Sequence, residues 1–231
     1  MRTQKLPLTN ACDYIQSRLH DVPEFKTNES PKEPEIAGQT GTTSSGSIVG
    51  VYLGLGSNLG DRESNLREAI ERIGSLGLIV VHSSSIYETE PVGRRDQPWF
   101  LNQVVELRVG RELLEPSPPD QSAGPLRQAK ALLRQLLNIE GVMGRSRHIP
   151  NGPRVIDIDL LLFGELIVGA ASCDSETPAD ISVPHPRMHL RRFVLEPLCE
   201  IAPDLTHPVL GKTCRELLAA LDDKGVVRAY A

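Results

Sequence analysis

Ordered patterning begins at Ile48. "IVGVYLGL" is an apolar run of the buried-strand kind, followed at once by the turn "GSNLGD". Leu66, Ala69, Ile70 and Ile73 then recur at helical spacing, predicting a helix from about Asp61 to Gly74 with Asp61 as its N-cap. "LIVVHSSSIYET" and "WFLNQVVELRV" are strand-like, and the loop "EPVGRRDQP" between them is rich in breakers. In "GPLRQAKALLRQLLNIEGVMG", Leu126, Ala129, Leu132, Leu133, Leu136, Leu137 and Ile139 mark a second amphipathic helix. "RVIDIDLLLF" reads as another strand, "FVLEPLCEIA" and "KTCRELLAALDDKG" as helices, and "VVRAY" as a short closing edge strand. The order β-α-β-β-α-β predicts a ferredoxin-like α+β sandwich. Its antiparallel sheet carries the two main helices on one face, and C-terminal helices follow the core.

Residues 1–47 break with that pattern. "FKTNESPKEPEIAGQTGTTSSGS" is nearly free of aliphatic side chains, too few to offset the entropy of ordering. A short amphipathic helix fits "CDYIQSRLHDV", but the segment reads as a tail, leaving residues 48–231 as one domain. The formal net charge of −5 argues against a general nucleic-acid binder, so any anion site must be a local cluster of arginines. Cys12, Cys173, Cys199 and Cys214 are scattered without a Cys-x-x-Cys pair, as expected of reduced thiols in the cytosol. Neither a secretory apolar segment nor a run of roughly 20 apolar residues that could span a membrane is present. The expectation is a cytoplasmic protein that binds neither nucleic acid nor membrane.

The strand-glycine-helix order around "LGLGSNLGDR" raises the question of a phosphate cradle. The details oppose it. Gly60 is followed by Asp61 and Arg62, not by the Lys-Ser/Thr of a P-loop, and Gly54, Gly56 and Gly60 miss dinucleotide spacing by one residue. Asp61 and Glu63 also put negative charge at the helix start.

Chemistry is better signalled in "GPRVIDIDLLLF". Strand alternation puts Asp157 and Asp159 on one face, roughly 6–7 Å apart. Two unit charges there repel by about 2.5 kcal/mol at an effective dielectric near 20. Either a cation sits between them, Mg²⁺ or Mn²⁺ by the all-oxygen ligand set, or two ordinary acids face solvent. Basic loops flank the pair: Arg145, Arg147, His148 and Arg154 upstream, and His185, Arg187, His189, Arg191 and Arg192 downstream. Carboxylates for a metal, bracketed by guanidiniums, are what a Mg²⁺–polyphosphate site needs. His185 and His189 are four apart, but Pro186 and the lack of a metalloprotease Glu speak against zinc. Ser57 is not in a nucleophile elbow. Phe100 beside Asn102 in "QPWFLNQ" suits either a core position or a flat heterocycle.

Four stretches in order, "LGLGSNLGDRESNL", "SSIYETEPVGRRDQPWFLNQVVEL", "GRSRHIPNGPRVIDIDLLLFG" and "VPHPRMHLRRFVLEPLCEIAP", closely resemble 6-hydroxymethyl-7,8-dihydropterin pyrophosphokinase (HPPK) of folate biosynthesis. The resemblance covers about Ile48 to the C-terminus. It implies a ferredoxin-like domain that uses ATP and Mg²⁺ to move a pyrophosphoryl group onto the pterin's hydroxymethyl oxygen, releasing AMP. It also implies roles. Asp157 and Asp159 match the acidic pair holding two Mg²⁺ ions, and Arg145, Arg147 and Arg154 match a mobile loop over ATP. His185 and Arg191 match nucleotide contacts. Phe100, Asn102 and Phe193 match the pterin site, with Thr89 and Val92 in a loop whose backbone touches the ring. The "GSN" turn would then serve the fold and the pterin side. ATP and the pterin alcohol are the implied small-molecule partners, with other folate-pathway enzymes as further candidates.

Three residues depart from the pattern. Pro150 and Asn151 stand where many bacterial members have Arg-Trp, and Asp180 ends an enlarged "GAASCDSETPAD" loop where some have a basic residue. Rival readings are a non-enzymatic binding module of the same fold and a Mg²⁺-dependent nucleotide transferase acting on another heterocycle.

Overall fold

The computed structural model describes residues 49–109, 124–145, 152–169 and 181–231. The N-terminal segment expected as a tail, together with Arg147, His148, Pro150, Asn151 and Asp180, lies outside them. Among the described residues, six strands form one antiparallel sheet. β1 (Val49–Ser57) runs between β5 (Asp157–Phe163) and β4 (Phe100–Val109). The other edge of β4 is shared by β2 (Ile79–Ser83) along its C-terminal half and β3 (Tyr87–Thr89) along its N-terminal half. β6 (Val227–Ala229) pairs with β3 and closes that edge, as the "VVRAY" pattern predicts.

The segment "LIVVHSSSIYET" is therefore two strands with a break at residues 84–86. Ser84 is buried there, and its hydroxyl accepts the Val104 N–H, in addition to a backbone bond from Ser84 N–H to the Val104 carbonyl. The chain steps sideways at this point, and β3 continues along β4 in a new register.

α1 (Arg62–Ser75) is capped as expected, the Asp61 carboxylate accepting the Ser64 N–H at 3.1 Å. Leu66, Ala69 and Ile73 are buried, whereas Glu63–Arg67 and Glu68–Arg72 pair on the solvent side. α2 (Gly124–Val142) buries Ala129, Leu132, Leu136 and Ile139. Both helices pack on one face of the sheet, against Val51, Leu53, Leu55, Leu101, Leu107, Ile158 and Leu160. Each fully buried Leu or Ile contributes about 1.5–3 kcal/mol. The result is the expected α+β sandwich.

The opposite face is only partly covered. α3 (Arg192–Ile201) and α4 (Cys214–Ala219), the latter closed by a Thr213/Glu216 capping box, build a smaller core on Tyr52, Val104, Leu161, Leu162, Met188, Val194 and Leu198. Plain alternation would not bury Leu161 and Leu162 together. Tyr52 pairs with Leu162 and Leu53 with Leu160, so Leu161 is an extra residue bulging from the ladder. Its carbonyl accepts the His185 N–H at 2.8 Å. The bulge thus fills the second core and fastens the downstream His/Arg segment beside β5. No helix among the described residues is long and apolar enough to cross a membrane.

Candidate active site

Three neighbouring strands meet on the uncovered part of that second face. In register, Asp157 and Asp159 of β5 lie opposite Gly56 and Gly54 of β1, and those glycines lie opposite Asn102 and Val104 of β4. With no side chains on β1 at these positions, a cavity of about 360 Å³ opens between the acids and Asn102. Two interstrand spacings separate those strands by about 10 Å. The glycines make space; they do not cradle an anion. Gly56 is held to its size, because a Cβ there would stand 2.8 Å from Asn102 Oδ1.

The "GSN" turn at the end of β1 ties the walls together. Asn58 Nδ2 donates to Gln97 Oε1 and to the Pro98 carbonyl, and Asn58 Oδ1 accepts the Arg154 N–H at 2.7 Å. One buried asparagine thereby joins the loop before Phe100 to the segment before Asp157. On the β4 side, Asn102 Nδ2 donates to Thr89 Oγ1 at 2.6 Å, which fixes the orientation of the amide. Thr89 is buried at the end of β3, not in the loop proper, whereas Val92 is exposed on the cavity wall.

The acidic side is dense with arginine. Asp157 accepts from Arg145 at 2.7 Å and from Arg154 at 2.8 Å. Asp159 lies 3.7 Å from Arg191 Nη1 and 4.0 Å from His185 Nε2. Loss of hydration first, and the charge of Asp157 second, push the Asp159 carboxyl up to about 6. Its side chain keeps 37% of its surface open, so water screens part of that effect. His185 is pushed down to about 4, chiefly by burial and then by Arg191 and Arg187. Its Nδ1 accepts the Arg187 N–H, which leaves the proton of the neutral ring on Nε2, beside Asp159. Two arginines also lie over aromatic rings, Arg154 over Phe100 at 5.5 Å and Arg191 over Phe193 at 5.4 Å. The phosphate-type and heterocycle-type halves are therefore physically joined.

Among the site residues expected from sequence, Thr89, Val92, Phe100, Asn102, Arg145, Arg154, Asp157, Asp159, His185, Arg191 and Phe193 line this one cavity. Arg147 lies outside the described residues. His189 and Arg192 are turned elsewhere, His189 edge-on to His207 and Arg192 onto Asp223 and Glu196. Sequence reasoning missed Glu140. It is 1% exposed, accepts the Ile158 N–H at 2.8 Å and pairs with Arg145, so it braces both the acid strand and the first arginine. The signal was present: position 140 adjoins Ile139 on the buried stripe of α2, an unusual place for a carboxylate.

Comparison with known proteins decides the family. Residues 52–203 match the family model for 7,8-dihydro-6-hydroxymethylpterin-pyrophosphokinase (HPPK). The chain belongs to the HPPK family. It is 41% identical over 178 residues to a 2-amino-4-hydroxy-6-hydroxymethyldihydropteridine pyrophosphokinase of Methylorubrum extorquens, covering 77% of this chain and 96% of that one. A Bacillus subtilis protein of the same name is 39% identical over 151 residues, with 65% and 76% covered. In fold, it is similar to a crystal structure of a Plasmodium falciparum HPPK-DHPS variant, with TM-score 0.52 and 16% identity over 77% of this chain. This chain spans only 46% of that longer protein. Family membership carries pyrophosphokinase activity in folate biosynthesis, and the family uses ATP as co-substrate, generally with Mg²⁺.

Proposed function

We propose that this cavity moves the β,γ-pyrophosphoryl group of ATP onto the hydroxymethyl oxygen of 6-hydroxymethyl-7,8-dihydropterin, releasing AMP. The observation that carries the reading is the glycine floor. It sets an acid pair ringed by arginines on one side and an oriented amide with two aromatics on the other. In this reading Asn102 and the backbone near Thr89 and Val92 read the pterin edge, while Phe100 and Phe193 flank its ring.

The acid pair fits Mg²⁺. No group of three or more His, Cys, Asp or Glu side chains suited to a metal occurs among the described residues. Mg²⁺ commonly takes only one or two carboxylates and fills its octahedron with phosphate oxygens and water. Asp157 and Asp159 would hold two such ions, which supply charge neutralisation of the triphosphate. The protein's own part is positioning and electrostatics. Arg145, Arg147 and Arg154 neutralise the transferring group, and neutral His185 donates from Nε2 to a phosphate oxygen. Arg191 does the same as a cation. The pterin hydroxyl attacks the β-phosphorus in line. The buried Arg154 Nε, without a hydrogen-bond partner among the described residues, supports an anion at this wall. Incubation with ATP, Mg²⁺ and the pterin alcohol tests the reading: AMP must form only when all three are present, and pterin-independent ATP hydrolysis would refute it.

Gly56 offers a test of the pterin half. Gly56→Ala is expected to displace Asn102 and raise the pterin KM about tenfold or more, with the ATP KM within about twofold of wild type. Equal KM values for the pterin in both proteins would place the heterocycle elsewhere.

By composition, residues 1–47 are a tail, dispensable for folding and turnover up to about residue 46, and residues 48–231 are the catalytic domain. A chain starting at Ser47 should keep its Tm and activity, and a large fall in either would move the boundary. Cytoplasmic residence and work beside other folate enzymes complete the reading. They are supported by the free Cys199 and Cys214 and by the joined HPPK-DHPS arrangement of the solved relative.

A further inference from the structure

Four arginines line the cavity in the described residues: Arg145, Arg154, Arg187 and Arg191. Three have a carboxylate within reach, Arg145 and Arg154 on Asp157 and Arg191 on Asp159. Arg187 has none within 4.0 Å among the described residues, although it stands two positions after His185 and four before Arg191. Its charge is among the causes that lower the pKa of His185, which stays neutral, and of Arg191, so the two guanidiniums repel each other where the wall faces the cavity. A fold gains nothing from concentrating uncompensated positive charge in a cavity wall unless an anion is to lie there. The backbone of Arg187 also contributes, because its N–H bond to His185 Nδ1 points the His185 Nε2–H toward the acid pair.

Resting on the nucleotide reading above, we propose that the Arg187 guanidinium is a further ligand of the ATP polyphosphate, beyond the α-phosphate, acting beside His185 and Arg191. An exposed guanidinium with no carboxylate in reach among the described residues can fork onto two phosphate oxygens without first breaking an ion pair there. Arg145, Arg154 and Arg191 must each loosen their carboxylates before they can do the same.

The test is calorimetric titration of the full chain, in Mg²⁺, with α,β-methylene-ATP, which binds as a triphosphate and cannot transfer its terminal pair. AMP serves as the second ligand. Arg187→Ala should weaken the triphosphate analogue about tenfold and leave the AMP affinity and Tm unchanged. Arg187→Lys should recover part of the loss as a point charge. Because both variants keep the backbone N–H, His185 stays oriented and the effect belongs to the side chain. An unchanged affinity for the analogue would overturn the proposal, as would an equal loss for AMP. If wild type itself failed to bind the analogue, the nucleotide reading of the cavity would fall, and the proposal with it.

Discussion

Asp157→Ala and Asp159→Ala are each expected to remove nearly all turnover while leaving the fold intact. Both acids sit on a solvent-facing stretch of β5 whose opposite neighbours are glycines, so neither contributes to the hydrophobic core. Burial first, and the charge of Asp157 second, raise the Asp159 carboxyl, and a bound cation would offset both. The sign of the metal-free effect follows. A carboxyl whose folded pKa exceeds its unfolded value takes up protons on folding, so its contribution is fully present below about pH 3.8 and is lost as pH rises through about 6. At pH 7, without Mg²⁺, Asp159→Asn should therefore match or slightly exceed wild type in Tm, yet gain nothing when Mg²⁺ and ATP are added. Turnover above roughly a tenth of wild type, a barrier change of about 1.4 kcal/mol or less, would remove these residues from the metal and phosphate site.

Glu140→Ala should be the most damaging single change outside the cavity. Deleting this carboxylate strands the Ile158 N–H and leaves Arg145 in a buried wall with Asp157 as its remaining described carboxylate partner. Breaking a buried pair costs about 3–5 kcal/mol, which for a domain of this size lowers Tm by roughly 6–20 °C. Turnover should fall as well, because Arg145 and the start of β5 lose their common anchor. Glu140→Gln keeps an acceptor for the Ile158 N–H and should lose much less stability than the alanine variant. If Glu140→Ala melts within about 2 °C of wild type, the brace carries no weight. Thermal denaturation of the three proteins in one buffer, without Mg²⁺, makes the comparison.

The contrast between Asp157 and Glu140 shows how far local sequence reaches here. Asp157 and Asp159 were legible because strand alternation is local: two positions apart means one face, whatever the tertiary fold. α1 and α2 were legible for the same reason, from apolar spacing and the Asp61 cap. Glu140 required knowing that the end of α2 docks beside β5, a contact no period in the sequence encodes. The two-strand break at Ser84 and the Leu161 bulge are of that kind too. In each, a backbone group finds a partner distant in sequence, Val104 on the neighbouring strand in one case and His185 in a loop in the other. The glycines of β1 show an intermediate case. Their number suggested a turn for an anion, and the pattern alone counted against it. Only the register revealed their use as an empty strip between two walls. His189 and Arg192 mark the other limit: they share a basic run with His185 and Arg191, yet packing against His207, Asp223 and Glu196 draws them off the site.

Attack at the β-phosphorus of ATP is read out by label transfer. In a single turnover with Mg²⁺ and the pterin alcohol, ATP labelled at the β-phosphorus and, separately, at the γ-phosphorus should each deliver label to the pterin product, mole for mole with AMP. Transfer of the γ-label alone, accompanied by ADP, would instead mean attack at the γ-phosphorus by an ordinary kinase and rule out pyrophosphoryl transfer.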